Sequence, residues 1–266
     1  MKDNKVIVFT AYDRPQYAKQ TIESLSQCYG VEDYLLIPFV EPVHQEVIDL
    51  FHDIDYADLE LHINGAHIGH TQNTHNALEC GFNKSDYVIL LESDDIFGKD
   101  LLRFHEHCKE KFKDDKTVYT VAAGHYHDSK RVVPEENIFA YEKRAGFTNR
   151  GWGTWVDRWE EKNGAKYNWE SPEYINGNVY VHQYKHGGWD HYMNNDLRAD
   201  RVEVLPILSR VKNIGWSGGR HVGFDTAKYT SIEEWYAEEV DLVHWAGDER
   251  ILDKPTYHDI NSNDIL

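Results

Sequence analysis

The sequence predicts an α/β protein: one domain built on a mostly parallel central sheet with helices on both faces. Three observations predict it. Strand-like apolar runs alternate with helix-period segments through the first half, the order that winds a parallel sheet. The stretch Tyr87–Leu91 is apolar without a break, the pattern of a strand buried on both faces. It runs straight into Glu92-Ser93-Asp94-Asp95, and open α/β sheets hold their ligands at the carboxyl ends of such strands.

Lys5 to Ala11 reads as a first buried strand. Pro15 suits a first helical turn, and Ala18, Ile22, Leu25 and Tyr29 share one face of the helix that follows, which Gly30 should end. Tyr34 to Val40 is a second strand; Val47, Ile48, Leu50 and Phe51 fit a short helix; Leu59 to Ile63 alternates as a third strand. Asn64 to Asn76 is a loop with Gly65 and Gly69 that opens a polar helix carrying Ala77, Leu78 and Phe82 for burial. Loop glycines let backbone approach a ligand and helix N-termini favour anions, but a plain turn with a cap fits as well. After the acidic turn, Leu101, Leu102, Cys108 and Phe112 define another helix, and Val118 to Ala123 a further strand. The lysines between Lys109 and Lys116 read as a solvated face and partners of that helix's negative end.

At Gly124 the texture changes to His, Trp, Tyr and Gly with fewer regular periods. The expected division is therefore 1–123 and 124–266, two functional halves of the same domain. The second half holds Arg150-Gly151-Trp152-Gly153-Thr154-Trp155, whose aromatic planes suit a sugar or a base and equally suit a core. Trp189, Met193 and Leu197 repeat every four residues, so a helix starts near Trp189 with Asp190 in its first turn. That position keeps Asp190 ionised, as a functional carboxylate or simply as a cap. Ser209 to His221 combines Arg210, Lys212 and Arg220 with glycines, unusual in a chain this acidic. The segment from about Ile232, with Trp235, Tyr236 and Trp245, reads as a closing helix and lid.

Composition sets the limits. The chain has 266 residues, 41% of them hydrophobic, and a formal net charge of −18. That field repels nucleic acid and anionic membranes, and also a phosphate-bearing substrate unless a metal or a local basic patch corrects the sign. No apolar run is long enough to span a bilayer and no signal peptide is evident. Cys28, Cys80 and Cys108 are an odd number without a CxxC, so they read as free thiols in a reducing compartment, with the cytoplasm as the simplest home. Three carboxylates within Glu92 to Asp95 repel by about 2–4 kcal/mol per pair at an effective dielectric near 20. A divalent cation would relieve this, and carboxylate oxygens suit Mg²⁺ or Mn²⁺. The alternative is an acidic turn that caps the helix beginning near Lys99.

These segments together resemble glycosyltransferases of the GT-A fold, a Rossmann-like sheet. In the first half, Phe9 to Pro15, Asn64 to Asn76 and Leu91-Glu92-Ser93-Asp94-Asp95 resemble family 2 glycosyltransferases, with Glu92 in the first place of a D-x-D-D metal motif. In the second half, Gly151-Trp152-Gly153-Thr154-Trp155, Trp189-Asp190-His191-Tyr192-Met193 and Ser209-Arg210 with Gly215 to His221 are similar to motifs of the N-acetylglucosaminyltransferase I family. The resemblance implies a metal-dependent, inverting enzyme that moves a sugar from a nucleoside-diphosphate sugar to a hydroxyl acceptor, a glycan or small glycoconjugate. It implies Asp94 and Asp95 as metal ligands, His221 as a further ligand, and Asp190 as the general base. Donor contacts would come from Thr10, Ala11, Asp13, Arg14, Asn64, Gly69, Asn73, Glu92, Ser93, Trp152, Gly153, Arg210, Lys212 and Arg220. A modified-DNA acceptor is disfavoured by the charge unless Lys and Arg cluster on one face. Two other classes stay open: a catalytically silent sugar-binding module, and a sugar nucleotidyltransferase, which would want a Gly-rich loop and a lysine where Phe9-Thr10-Ala11-Tyr12 stands. The sugar, the base, the acceptor and the oligomeric state are not written in the sequence.

Overall fold

A computed structural model describes residues 4–124, 133–161, 189–194, 198–215 and 253–260, without the side chains of 191 and 192. Within them, ten strands form one sheet in the order β12-β8-β10-β7-β9-β5-β1-β2-β3, with β4 also on β2. The expected α/β class, with helices on both faces of a mostly parallel sheet, holds. β1 (Lys5–Ala11) is flanked in parallel by β2 (Tyr34–Val40) and β5 (Tyr87–Glu92). Alternation along β1 divides the core. Ile7, Phe9 and Ala11 pack with α1 (Pro15–Leu25), α2 (Gln45–His52) and α4 (Leu101–Phe112), whereas Val6 and Val8 pack with α3 (His70–Phe82). All five are essentially inaccessible to water, which is why these strands read as unbroken apolar runs. α3 lies so close to the sheet that a Cβ on Gly81 would fall 2.7 Å from a methyl of Val8 and 2.9 Å from one of Val88.

Two local expectations change. α1 ends at Leu25 instead of running on to Gly30. The hydroxyls of Ser24 and Ser26 donate to the carbonyls of Thr21 and Glu23, offering the backbone an exit from the helix. Tyr29 then donates its N–H to Lys99, and Gly30 turns the chain at φ 81°. The third strand is interrupted: β3 (Asp58–Leu59) and β4 (His62–Ile63) pair with β2 in one continuous register, and between them only the Glu60 N–H to Leu36 bond keeps the ladder. The antiparallel pairings of this mostly parallel sheet all involve strands of the second half. β9 (Trp152–Trp155) enters antiparallel between β5 and β7 (Val118–Ala122), and β8 (Ala140–Arg144) pairs antiparallel with β10 (Val202–Pro206).

The distal edge ends in β12 (His258–Asp259), parallel to β8. Arg158, 2% exposed, donates to the carbonyls of Phe112, Lys113, Asp115 and Val118, which closes the C-terminal end of α4. Its guanidinium lies 4.0 Å over the Trp155 ring. The three cysteines are free thiols, and no described helix is long and apolar enough to cross a membrane. The lid expected around Trp235 to Trp245 falls outside the described residues.

Candidate active site

β5 ends at Glu92, and the chain turns at Ser93 and Asp94 into β6 (Asp95–Phe97). β6 pairs antiparallel with β11 (Val211–Asn213), so the acidic turn is stapled to a segment more than a hundred residues later. Asn213 Nδ2 donates to Asp95 Oδ1 at 2.7 Å and to the Asp94 carbonyl at 3.1 Å, and the Ile214 N–H donates to the same carbonyl at 2.8 Å. On the β1 side, the Ser93 N–H donates to Thr10 O. The turn is thus held from both flanks, well short of α4, and does not serve as that helix's cap. Asp100 occupies that position, with its carboxylate turned to Arg210 and Tyr257.

Glu92, Asp94 and Asp95 each aim an oxygen into one space, all three within 4.8 Å of one another. Cations partly offset them. Arg14 donates to Asp94 Oδ2 at 2.5 Å and to the Gly215 carbonyl at 2.6 Å. Arg150 sits between Asp95 at 3.3 Å and Glu92 at 3.6 Å. A Cβ on Gly215 would fall 1.9 Å from Asp94 Oδ2, so glycine is what lets β11's continuation close on the turn. The compensation is incomplete. Burial, then the charge of Asp94, holds the Glu92 carboxyl well above its ordinary range. Burial likewise raises Asp95, against the pull of Arg150. Asp95 is fully buried, and its Oδ2 has no hydrogen-bond partner. An orphaned carboxylate oxygen among hard donors with excess negative charge is what a divalent cation would satisfy, so these residues fit Mg²⁺ or Mn²⁺.

Asp190 falls in the first turn of the short helix Trp189–Tyr192, and its charge acts on both Glu92 and His70. Trp189 is buried against Trp152 and donates its indole N–H to His70 Nε2 at 3.0 Å. An accepting Nε2 makes that imidazole neutral with its proton on Nδ1, in line with the desolvation that lowers the His70 pKa. His70 therefore meets Glu92, 3.7 Å away, without a positive charge.

The expected donor residues divide. Thr10, Ala11, Glu92, Ser93 and Arg14 gather at the mouth, with Asp13 exposed in the bend after β1. Gly69 lies in the neighbouring loop, its N–H held by Glu41 Oε1 at 2.8 Å. Glu41, 2% exposed, also takes the Ile68 N–H, a brace no local motif announces. Other expected residues are used elsewhere. Arg210 is fully buried and spent on Asp100 and the carbonyls of Leu208 and Ile138, so it offers nothing to a phosphate. Trp152 is fully buried between Phe147 and Trp189, and Gly153 faces Tyr87 within the sheet; both are core. Asn73 is 3% exposed, its amide divided between Phe39 O and Asn64, so it braces the loop from beneath. Asn64 is thereby drawn toward Asn73. Lys212 lies on β11, where strand alternation turns it from the face on which Asn213 meets Asp95. Arg220 and His221 fall outside the described residues. Arg150, Asn213 and Gly215, whose side chains or backbone shape the turn, stood in segments singled out by composition, but only the β6–β11 pairing reveals their part.

No protein-family model matches the sequence, and no curated protein matches it. Solved structures do. The chain superposes on Staphylococcus aureus TarS 1–349 with a TM-score of 0.50 at 11% identity, over 78% of this chain and 59% of that one. The fold is shared. The chain spans about three fifths of that structure's length. The same TarS fragment in complex with UDP-GlcNAc matches over 51% of this chain and 38% of that one, with a TM-score of 0.38 and 15% identity. The mannosyltransferase PcManGT from Pyrobaculum calidifontis, in complex with GDP-Man and Mn²⁺, matches over 60% and 47%, with a TM-score of 0.42 and 14% identity.

Proposed function

We propose that this chain is a metal-dependent, inverting glycosyltransferase of the GT-A type, moving a sugar from a nucleoside-diphosphate sugar to a hydroxyl acceptor. The observation that carries the reading is the convergence of Glu92, Asp94 and Asp95 at the carboxyl end of β5, with Asp190 acting on the same space. The fold shared with TarS 1–349, a protein also crystallised with UDP-GlcNAc, supports it. Residues 1–123 then serve as the donor half and 124–266 as the acceptor half.

Asp94 would hold the cation, with Glu92 beside it and Asp95 behind. Bound there, Mn²⁺ or Mg²⁺ supplies positive charge to offset that on a departing nucleoside diphosphate. This answers how a chain of net charge −18 binds an anionic donor. Thr10 to Arg14 border the nucleoside, and Arg14 is free to exchange Asp94 for a phosphate oxygen. Asp190 accepts the proton of the acceptor hydroxyl as that oxygen attacks the anomeric carbon opposite the leaving group. One such displacement inverts the centre. The neutral His70 adds no cation to weaken this base, and its link to Trp189 fixes the turn that carries Asp190.

The test is incubation with UDP-, GDP- and TDP-sugars with Mn²⁺ or Mg²⁺. Release of nucleoside diphosphate, abolished by chelation, is the expected result. Formation of nucleoside triphosphate and sugar 1-phosphate on addition of pyrophosphate, in place of nucleoside diphosphate release, would make the chain a nucleotidyltransferase; sugar binding without turnover on any donor would make it a silent module.

A further inference from the structure

A second group of ligand atoms meets away from the acidic mouth, at the outer edge of the sheet. Glu60 follows β3, His62 opens β4, and Cys80 lies in the last turns of α3. His62 Nε2 is 3.0 Å from Glu60 Oε1, and Cys80 Sγ is 3.8 Å from each of them. All are half-buried, so the cluster is open to solvent on one side. Zinc bonds of about 2.0–2.1 Å to N and O and about 2.3 Å to S, at tetrahedral angles, separate ligand atoms by about 3.4 Å for N···O and about 3.6 Å for the pairs with sulfur. The three observed separations lie within about 0.4 Å of that triangle.

The surroundings favour metal over a plain hydrogen-bonded cluster. The His62 ring is stacked on Phe39, 4.4 Å between centroids and 8° from parallel, which fixes the direction of Nε2. Lys84 Nζ takes the other oxygen of Glu60, Oε2, at 2.9 Å and leaves Oε1 to the cluster. Outer contacts of this kind orient metal ligands. One thiolate and one carboxylate balance a dication. A thiol, an imidazole and a carboxylate together suit a borderline ion and not Mg²⁺ or Ca²⁺, which want oxygen alone. Nothing in the sugar transfer proposed above uses these residues.

We propose that Glu60, His62 and Cys80 form a zinc-class metal site, with three protein ligands and one solvent position, that clamps the β3–β4 edge to α3. As the metal–sulfur bond forms, the Cys80 thiol proton passes to solvent, so uptake falls as pH drops. The chain between His62 and Cys80 carries the loop at 64–69 and the first turns of α3, which border the mouth; the clamp ties both ends of that rim.

Cobalt(II) titration of the reduced, full-length protein tests this. One equivalent should give a thiolate-to-cobalt charge-transfer band with intense tetrahedral visible bands, and zinc should bleach both. Cys28 and Cys108, 3% and 0% exposed, are not available to supply a thiolate. Cys80→Ser should abolish the charge-transfer band, and His62→Gln should weaken zinc uptake at least about tenfold. Asp94→Asn should leave the band intact, separating this site from the acidic mouth. Circular dichroism confirms that each variant is folded. Folded wild-type protein without a thiolate band, or a band that survives in Cys80→Ser, would overturn the proposal.

Discussion

Asp95 offers the sharpest physical test, because its side chain is fully buried with one oxygen unpaired. Burial pushes its pKa up to about 7 from an ordinary 3.8. A pKa unit is worth about 1.4 kcal/mol, so keeping this group ionised in the metal-free protein costs on the order of 2–4 kcal/mol. The sign follows from linkage. A carboxyl whose folded pKa lies above its unfolded one binds more protons when folded, so stability is full below about pH 4 and is lost as pH rises to about 7. Asp95→Asn keeps the shape and the acceptor for Asn213 and removes the charge. In EDTA at pH 8 it should therefore raise the melting temperature, by roughly 5–10 °C for a chain of this size. At pH 4.5 the gain should nearly vanish. Added Mn²⁺ should reverse the order at pH 8, stabilising the wild type more than the variant. The assay is thermal unfolding at the two pH values, with and without metal. An equal loss of stability at both pH values would refute the idea that the turn carries excess negative charge.

Other perturbations separate the site from its scaffold. Asp190→Asn should cut sugar transfer by about 10²–10⁴-fold while the donor dissociation constant, read by calorimetry, stays within a factor of about two. Gly215→Ala drives a methyl into Asp94; the melting temperature of the metal-free protein should move by only a few degrees, but stabilisation by Mn²⁺ should be lost. Arg210→Met leaves the buried Asp100 carboxylate with the Tyr257 hydroxyl but without its counter-charge and should cost about 3–5 kcal/mol in urea unfolding, with no effect specific to the donor. Gly81→Ala should cost about 1–3 kcal/mol by the same measurement, through overpacking against Val8 and Val88.

The legible parts of this fold were those governed by short-range pattern. Continuous apolar runs announced β1, β2 and β5, helical spacings announced α1 and the turn beginning at Trp189, and apolar residues set among polar ones announced α3 and α4. The acidic end of β5 could be read because a buried strand that stops in carboxylates is conspicuous. The second half resisted because its strands are short and its pairings distant: β9 slots between β5 and β7, and β11 reaches back to β6. Arg210 shows the limit well. From composition it was a cation in an acidic chain; only the distant Asp100, 110 positions earlier, makes it a structural ion. Trp152 misled for a related reason, since glycine-flanked aromatics serve a ligand platform and a tightly packed strand equally well. Glu41 gave no local signal at all, because its partners are backbone N–H groups in a loop 27 and 28 residues on.

The ribbon of β6 and β11 also sets an order of events during synthesis. Asn213 emerges from the ribosome 118 residues after the aspartate it supports. At about 5–20 residues per second, the nascent acidic loop waits roughly 6–24 s for its tether. Until then the early α/β layers can collapse, but their charged lip stays unfastened, and a strand made more than a hundred residues later decides when the acidic turn takes its working shape.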